Sequence, residues 1–188
     1  MGFKIIDNFL SDFDSLRDYC DQVNYDGVTN PADNVFYDGV TLDIPDAVQK
    51  EVIQNLTEVM GRKVTLNSIF MRLSKQFTPC PHQAHTDKLM GNFSLMLYLN
   101  RLEDCEGGTA LVIHKEGLIN STPINDKQFK VWERDVNTPD AWQITDISQM
   151  IPNRACIFDA NLMHRAEPIG GFGDSPQNAR LVLTAFYD

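Results

Sequence analysis

The sequence has little positive charge and no long apolar run. Its 188 residues contain 16 Lys and Arg against 26 Asp and Glu, which gives a formal net charge of −10. Because nucleic-acid binding needs a basic stripe to neutralise phosphates, this balance disfavours DNA and RNA as partners, and it disfavours anionic membranes too. No apolar stretch reaches membrane-spanning length, and the opening MGFKIIDNFL lacks the features of a secretory signal. We expect a cytoplasmic protein without a nucleic-acid or membrane partner.

Cysteine is scarce and scattered. Cys20, Cys80, Cys105 and Cys156 include no CxxC pair. Four such thiols in a chain of this size are more typical of a reduced protein than of a disulfide framework. Cys80 and His82 lie close in sequence, but no second Cys/His pair follows at zinc-finger spacing, which disfavours that class.

What is present is a helical N-terminal part followed by a β-rich remainder. Residues 3–6 predict a short strand, Ser11 precedes a helix to about Asn24, and Pro45 begins a second helix that ends at Gly61. Segments dense in β-branched and large apolar residues then predict strands at 64–77, 93–100, 109–114, 154–159 and 180–187. This order indicates one domain, residues 1–188, whose helices pack outside an antiparallel sandwich or double-stranded barrel.

A polar cluster with two of the four histidines leads into a strand, in PHQAHTDKLMGNFSLMLYLN. An Fe(II) centre that activates oxygen takes two imidazoles and one carboxylate on one face and leaves three positions open. His85 and Asp87 are two residues apart and can point to the same side. His164, just after the predicted strand 154–159, can supply the third ligand. Each signal alone is weak, because single histidines are commonly surface or core residues, but their order along the chain adds weight.

Arg180 begins the last predicted strand. Alternation places it on the same face as Val182, Thr184 and Phe186. If that face is interior, a buried guanidinium is costly without an anion, and a dicarboxylate cosubstrate would supply one through a bidentate contact. The alternative is an edge-strand arginine that faces water.

Several motifs, in this order, resemble those of the Fe(II)/2-oxoglutarate-dependent oxygenases, in particular the prolyl-hydroxylase-like branch: HTD, LMLYLN, GGTALVI, RACIFD…MHRAEP and NARLVLTAFY. The resemblance covers about residues 64–188, and IIDNFLSDFDSLRDYC resembles the opening strand and helix of that branch. It implies a mostly β fold, a double-stranded β-helix (jelly roll) with the N-terminal helices packed on its outer sheet. It also implies Fe(II), 2-oxoglutarate and O2 as cofactor and cosubstrates.

The resemblance assigns roles to five residues. His85, Asp87 and His164 match the iron ligands. Arg180 matches the basic residue that holds the distal carboxylate of 2-oxoglutarate, and Tyr98 matches a tyrosine that often hydrogen-bonds the same carboxylate. For Tyr98, a core aromatic with a satisfied hydroxyl is the alternative.

The sequence also departs from the family pattern. Arg180 follows His164 by 16 residues, a longer gap than is usual in that branch. Residues 115–151, polar and containing Trp132 and Trp142, are outside the common core. Because long insertions are commonly functional and this one lies near the mouth of the jelly roll, we expect a lid or substrate loop over the iron. At least one Trp is expected to hold it to the barrel.

The remaining candidates have open roles. His82 is expected to be a loop residue and His114 a structural strand-end residue, although either is placed where it could contact substrate. Arg72 and Arg165 could bind a substrate carboxylate or support the metal ligands. Gly107 and Gly108 match the family's tight entry into a strand, where glycine tolerates positive φ. No second arginine follows Arg180, unlike in the nucleic-acid demethylases of the superfamily.

The sequence therefore predicts a 2-oxoglutarate-dependent dioxygenase that hydroxylates an unactivated C–H bond of an amino acid, peptide or small metabolite, with release of succinate and CO2. Asp87 fills the position that halogenating relatives leave without a carboxylate, so hydroxylation is the expected outcome. The alternative function is a non-catalytic or cupin-like metal-binding jelly roll that does not turn over 2-oxoglutarate.

Overall fold

The computed structural model describes residues 2–30, 34–116 and 119–188. These residues form the strands β1 Lys4–Ile6, β2 Val28–Asn30, β3 Val35–Tyr37, β4 Val40–Thr41, β5 Leu66–Ser74, β6 Phe93–Tyr98, β7 Gly108–His114, β8 Trp142–Gln149, β9 Ala155–Asp159, β10 His164–Glu167 and β11 Arg180–Tyr187. The helices are α1 Phe13–Cys20, α2 Asp46–Met60 and α3 Asp126–Asp135. No helix in the described part of the chain is long and apolar enough to cross a membrane.

The strands form two facing antiparallel sheets and a small hairpin. The major sheet has the order β1-β9-β6-β11-β5-β4, the minor sheet has the order β10-β7-β8, and β2 pairs with β3. Tyr98 and Val182 of the major sheet pack in one buried cluster with Leu111 and Met150, which lie in or just after strands of the minor sheet. The predicted mostly β, antiparallel architecture is confirmed.

The outer face of the major sheet packs against α1 and α2. Leu16 of α1 and Leu56 of α2 lie in the largest buried cluster together with residues of the central strands, such as Leu183. Gly61 ends α2 in the left-handed conformation, with φ 65°, as the sequence predicts. For α1 the cap is Asp12 rather than Ser11, because the Asp12 carboxylate accepts a hydrogen bond from the Ser15 amide.

Residues 115–151 differ from the expectation of a single insertion. Residues 142–149 form β8, which pairs with β7 as an edge strand of the minor sheet. An edge strand exposes polar side chains, and WQITDISQ therefore reads as a polar loop in the sequence. Before it, α3 packs through Val131 and Trp132 against Ala110 and Val112 of β7. Since alternation turns these two β7 side chains away from the major sheet, α3 covers the back of the minor sheet.

Candidate metal centre

A β-bridge brings the two predicted histidine ligands together. The His85 amide donates to the His164 carbonyl oxygen at 3.1 Å, and the His164 amide donates to the His85 carbonyl oxygen at 2.9 Å. The Asp87 amide donates to the Ala160 carbonyl oxygen at 2.9 Å and fixes the segment on the other side. Three backbone hydrogen bonds thus set the positions of the three candidate ligands.

The three side chains converge on one point. The Oδ1 atom of Asp87 lies 3.6 Å from His85 Nε2, and its Oδ2 atom lies 3.2 Å from His164 Nε2. One ligand atom from each of the three residues fits within 4.8 Å of the others. Asp87 and His164 are buried while His85 is partly exposed, so the cluster has one open side. This arrangement suits a metal ion with further positions free for small ligands.

Hydrogen bonds orient each ligand. Nδ1 of His164 donates to the Leu162 carbonyl oxygen at 3.0 Å, and Nδ1 of His85 faces the Gln83 carbonyl oxygen at 3.4 Å. With a proton on each Nδ1, Nε2 is the ring atom that faces Asp87 and that can bind a metal ion, once the proton that His164 shares with Asp87 is displaced. The Ser94 hydroxyl donates to Asp87 Oδ2 at 2.8 Å. Hydrogen bonds of this kind fix the protonation site and the orientation of metal-binding side chains.

The electrostatics of the cluster favour a cation. Burial lowers the pKa of His85 to about 4, assisted by the positive charge of His164. Burial works to raise the pKa of Asp87, but the charge and hydrogen bond of His164 outweigh it and lower that pKa to about 2. For His164, burial opposes the charged form, yet the Asp87 carboxylate raises the pKa above its usual value. The carboxylate is therefore ionised at neutral pH, and at least one imidazole is neutral.

Arg180 lies at the other end of the space between the sheets. It begins β11, a central strand between β5 and β6, and is only 5% exposed. The alternative of a water-facing edge arginine is therefore wrong. Its NH2 group donates to the Gly108 carbonyl oxygen at 3.3 Å, while its buried Nε has no hydrogen-bond partner. Burial lowers the pKa of Arg180, as expected for a cation that lacks an anion.

Tyr98 lies fully buried beside the same region. Its hydroxyl is 2.8 Å from the Ser148 carbonyl oxygen and 3.1 Å from Thr109 Oγ1. Burial raises the pKa of Tyr98, so the phenol stays protonated and donates. These contacts fit the alternative of a core aromatic whose hydroxyl is satisfied within the protein.

Two polar residues near Arg180 are not predicted from the sequence. Thr109 and Ser148 lie opposite each other in β7 and β8 and are both buried, and Ser148 Oγ has no partner. Thr109 follows the glycine pair and could have been found from that position. Ser148 lies in the segment interpreted as an insertion, so only the pairing of β8 with β7 reveals it.

Gly107 and Gly108 allow β7 to lie unusually close to the backbones of its two neighbouring strands. Gly107 has φ 61° and Gly108 has φ 153°, a region that favours glycine. A Cβ atom at Gly108 would collide with the Ser148 carbonyl oxygen, and one at Gly107 with the Glu167 carbonyl oxygen. The pair thus allows β7 to pass close to its neighbours while the Gly108 carbonyl faces Arg180.

Three of the other candidates, His114, Arg165 and His82, make contacts at or beside α3. His114 is buried, and its Nε2 lies 2.9 Å from Asp135 Oδ2 at the end of α3. Arg165 pairs with Glu167 at 2.6 Å on the α3 side of the minor sheet. His82 is an exposed loop residue with its ring 5.7 Å from that of Trp132. All four cysteines are free thiols.

Several solved structures have a similar fold. AviO1 from Streptomyces viridochromogenes Tue57 matches 99% of this chain and 89% of its own, with a TM-score of 0.60 and 12% identity. EctD from S. alaskensis with bound Fe matches 100% and 72%, with a TM-score of 0.56 and 13% identity. The epimerase SnoN in complex with Fe3+, alpha ketoglutarate and nogalamycin RO matches 99% and 78%, with a TM-score of 0.57 and 10% identity.

These likenesses establish the fold, and they do not single out the prolyl-hydroxylase-like branch. A search of curated proteins gave no match. A family definition matches residues 3–187, nearly the whole chain. The chain therefore belongs to DUF6445, a family described as being of unknown function.

Proposed function

We propose that this protein is an Fe(II)- and 2-oxoglutarate-dependent oxygenase that hydroxylates an unactivated C–H bond of an amino acid, peptide or small metabolite. The observation that carries the proposal is the geometry of His85, Asp87 and His164, whose two Nε2 atoms and carboxylate converge with one side open. Two imidazoles and one carboxylate are the ligand set of oxygen-activating non-haem iron. The two facing sheets would then be a double-stranded β-helix, and residues 1–188 one catalytic domain.

The residues near Arg180 fit the cosubstrate. The buried Arg180 Nε and the buried Ser148 Oγ have no hydrogen-bond partner among the described residues. They lie on adjoining positions, because Arg180 donates to the Gly108 carbonyl oxygen and Thr109, the next residue, pairs with Ser148. The distal carboxylate of 2-oxoglutarate fits this site, because a guanidinium and a hydroxyl can both donate to one carboxylate. Tyr98 would support this site by holding the β7–β8 backbone rather than by touching the cosubstrate.

The chemistry follows from what each part contributes. When bound, Fe(II) with 2-oxoglutarate supplies oxygen activation coupled to decarboxylation of the cosubstrate to succinate and CO2. The chain positions the ligand atoms through the His85–His164 bridge, holds each Nδ1–H on a backbone carbonyl so that Nε2 faces the metal, and keeps water from the Arg180 end by burial. The carboxylate of Asp87 occupies the position that a halide would need, which favours hydroxylation over halogenation.

The first test measures the formation of succinate. Protein loaded with Fe(II) under anaerobic conditions and then given 2-oxoglutarate and air should form succinate slowly without a primary substrate. Asp87→Ala should abolish this, and the loop variant His82→Ala is the matched control that retains it. Binding of metal and 2-oxoglutarate without succinate formation would instead identify the rival function, a non-catalytic or cupin-like binding module.

A second measurement identifies the reaction. A small-molecule extract incubated with the loaded protein should contain a product that is one oxygen atom heavier than its precursor, as mass spectrometry would record. A product of unchanged mass would point to epimerisation, the activity in the description of SnoN, and would overturn the hydroxylase assignment while leaving the cofactor assignment intact.

A further inference from the structure

A second arginine lies on the inner face of the major sheet. Arg72 in β5 pairs with Val182 of β11 on one side and with Val40 of β4 on the other. Since Arg180 precedes Val182 by two residues, strand alternation places Arg72 and Arg180 on the same face in neighbouring strands. This is the face that carries Tyr98 and looks toward the minor sheet.

Neither of these arginines is neutralised. Within the described part of the chain, five other arginines form ion pairs with acidic side chains, but no carboxylate pairs with Arg72 or Arg180. Arg72 is partly buried, and its Nε is enclosed without a hydrogen-bond partner. Two cations held side by side without anions are unfavourable in the free protein, so the arrangement indicates that ligands bring negative charge.

The two arginines face different surroundings. Arg180 donates to the Gly108 carbonyl oxygen beside the minor sheet. Arg72 instead places its guanidinium carbon 5.7 Å from the ring centre of Tyr37, in the β2–β3 hairpin. An arginine over a tyrosine ring is held by a cation–π contact that leaves the edge of the guanidinium free to donate.

Arg72 also shares a sheet face with a residue that contacts the metal centre. Ser94, whose hydroxyl donates to Asp87, lies opposite Phe186 of β11. Since Phe186 and Val182 lie on one face of β11 and Val182 pairs with Arg72, Arg72 and Ser94 lie on the same face of the major sheet.

One molecule of 2-oxoglutarate has one distal carboxylate, and Arg180 with Ser148 accounts for it. The keto acid end of 2-oxoglutarate, which carries its other carboxylate, would be held by the metal ion, so an anionic group at Arg72 would belong to another ligand.

We propose that Arg72, held by the Tyr37 ring, binds a carboxylate of the primary substrate. The inference rests on the proposed function, and it narrows the substrate to small molecules that carry a free carboxylate. A single planar guanidinium matches a carboxylate through two parallel hydrogen bonds. A neutral substrate would leave this cation uncompensated beside Arg180.

The first experiment separates the two anion sites. Titration of 2-oxoglutarate into Mn(II)-loaded protein, followed by calorimetry, should give a dissociation constant raised at least about tenfold by Arg180→Gln, because one charge-assisted contact is lost. Arg72→Gln should change it less than about threefold, and so should Arg62→Gln, an exposed arginine used as the matched control. If Arg72→Gln weakened 2-oxoglutarate as much as Arg180→Gln, both arginines would hold one carboxylate and the inference would be overturned.

The second experiment examines Arg72 directly and needs neither iron nor turnover. In Zn(II)-loaded, nitrogen-15-labelled protein saturated with 2-oxoglutarate, the Arg72 Nε–H resonance, assigned with Arg72→Lys, should shift and saturate on addition of propanoate. Uncharged propanamide should leave it in place. Equal shifts with both probes, or none with propanoate, would contradict the inference. A failure of the proposed function would show differently, as a lack of 2-oxoglutarate binding or of succinate formation.

Discussion

Asp87 is the residue on which the centre depends. Its carboxylate lies between two imidazoles and accepts a hydrogen bond from Ser94, and it is only 8% exposed. A carboxylate buried in this way is stable because the neighbouring histidine takes positive charge, and a metal ion can take the place of that proton. Asparagine has nearly the shape of aspartate, so it can replace Asp87 without loss of packing.

Replacing Asp87 by Asn should remove metal binding while leaving the fold intact. The amide keeps the shape of the side chain and loses the anionic ligand, so the dissociation constant for Mn(II) should rise more than about a hundredfold, beyond the effect of an outer-contact mutation. Equilibrium dialysis measures the affinity, and far-ultraviolet circular dichroism checks the fold. His82→Ala serves as the control with unchanged affinity. Retention of Mn(II) affinity within about threefold by Asp87→Asn would refute the ligand assignment.

Metal affinity should rise with pH and then level off. A metal ion binds the neutral imidazole, so it must displace the proton from His164, whose pKa is raised, but not from His85, whose pKa is about 4. At pH 6 binding should release about one proton, and well above the pKa of His164 it should release none. Calorimetry in two buffers that differ in ionisation enthalpy counts the protons. Release of two protons at pH 6 would show that His85 is also charged in the free protein.

At the scale of elements, α3 holds the segment that carries His85 and Asp87. The indole Nε1 of Trp132 donates to the Ala84 carbonyl oxygen at 2.9 Å, directly before His85 in sequence. Trp142 makes a similar contact with the end of α3, since its Nε1 donates to the Asp135 carbonyl oxygen at 2.8 Å. The two tryptophans therefore form a matched pair, of which only one touches the segment that carries a ligand.

Trp132→Phe and Trp142→Phe should both lower stability and should differ in their effect on metal binding. Each change removes one hydrogen bond and part of a packed indole ring, so each should lower the free energy of unfolding by at least about 1 kcal/mol. Only Trp132→Phe should weaken Mn(II) binding, by about tenfold, because it loosens the backbone before His85. Urea unfolding and dialysis measure the two quantities. Equal metal affinity in both variants would show that α3 does not position the segment that carries His85 and Asp87.

The elements also show which parts of the fold can be read from the sequence. Strand β11 is found at its predicted bounds, Arg180–Tyr187, because it is central and buried on both faces, so every residue is of strand type. Strand β8 is missed because an edge strand keeps polar side chains that resemble a loop. The His-x-Asp spacing identifies two of the candidate ligands, whereas the position of Arg72 beside Arg180 depends on the register of β5 against β11, which no local pattern encodes.

At the scale of the molecule, the candidate metal ligands join parts that belong to different layers. His164 begins β10 in the minor sheet, and Ser94, the partner of Asp87, belongs to β6 in the major sheet. Between them, the segment with His85 and Asp87 is bonded through its backbone to His164 on one side and to Ala160, directly after β9, on the other. A metal ion bound here would link the minor sheet to this segment.

Metal loading should therefore slow amide exchange locally. The amides of His85 and His164 exchange through opening of their bridge. A ligand that binds only the closed form lowers the exchange rate by about the ratio of its free concentration to its dissociation constant. With Mn(II) at 100 times its dissociation constant, exchange at both should fall by about a hundredfold. Leu183, in the centre of the major sheet, is the internal control, and its exchange should change only if global unfolding is involved. Hydrogen exchange followed by mass spectrometry resolves the peptides.

The His85–His164 bridge also has a consequence for the lifetime of the protein in a cell. Without metal, two backbone hydrogen bonds hold this segment against β10, and segments that open frequently are the ones that proteases cleave. In cells starved of iron, newly made chains would remain in the open form for longer and be degraded faster than loaded ones. The abundance of the protein would then follow the iron supply even when its synthesis is constant.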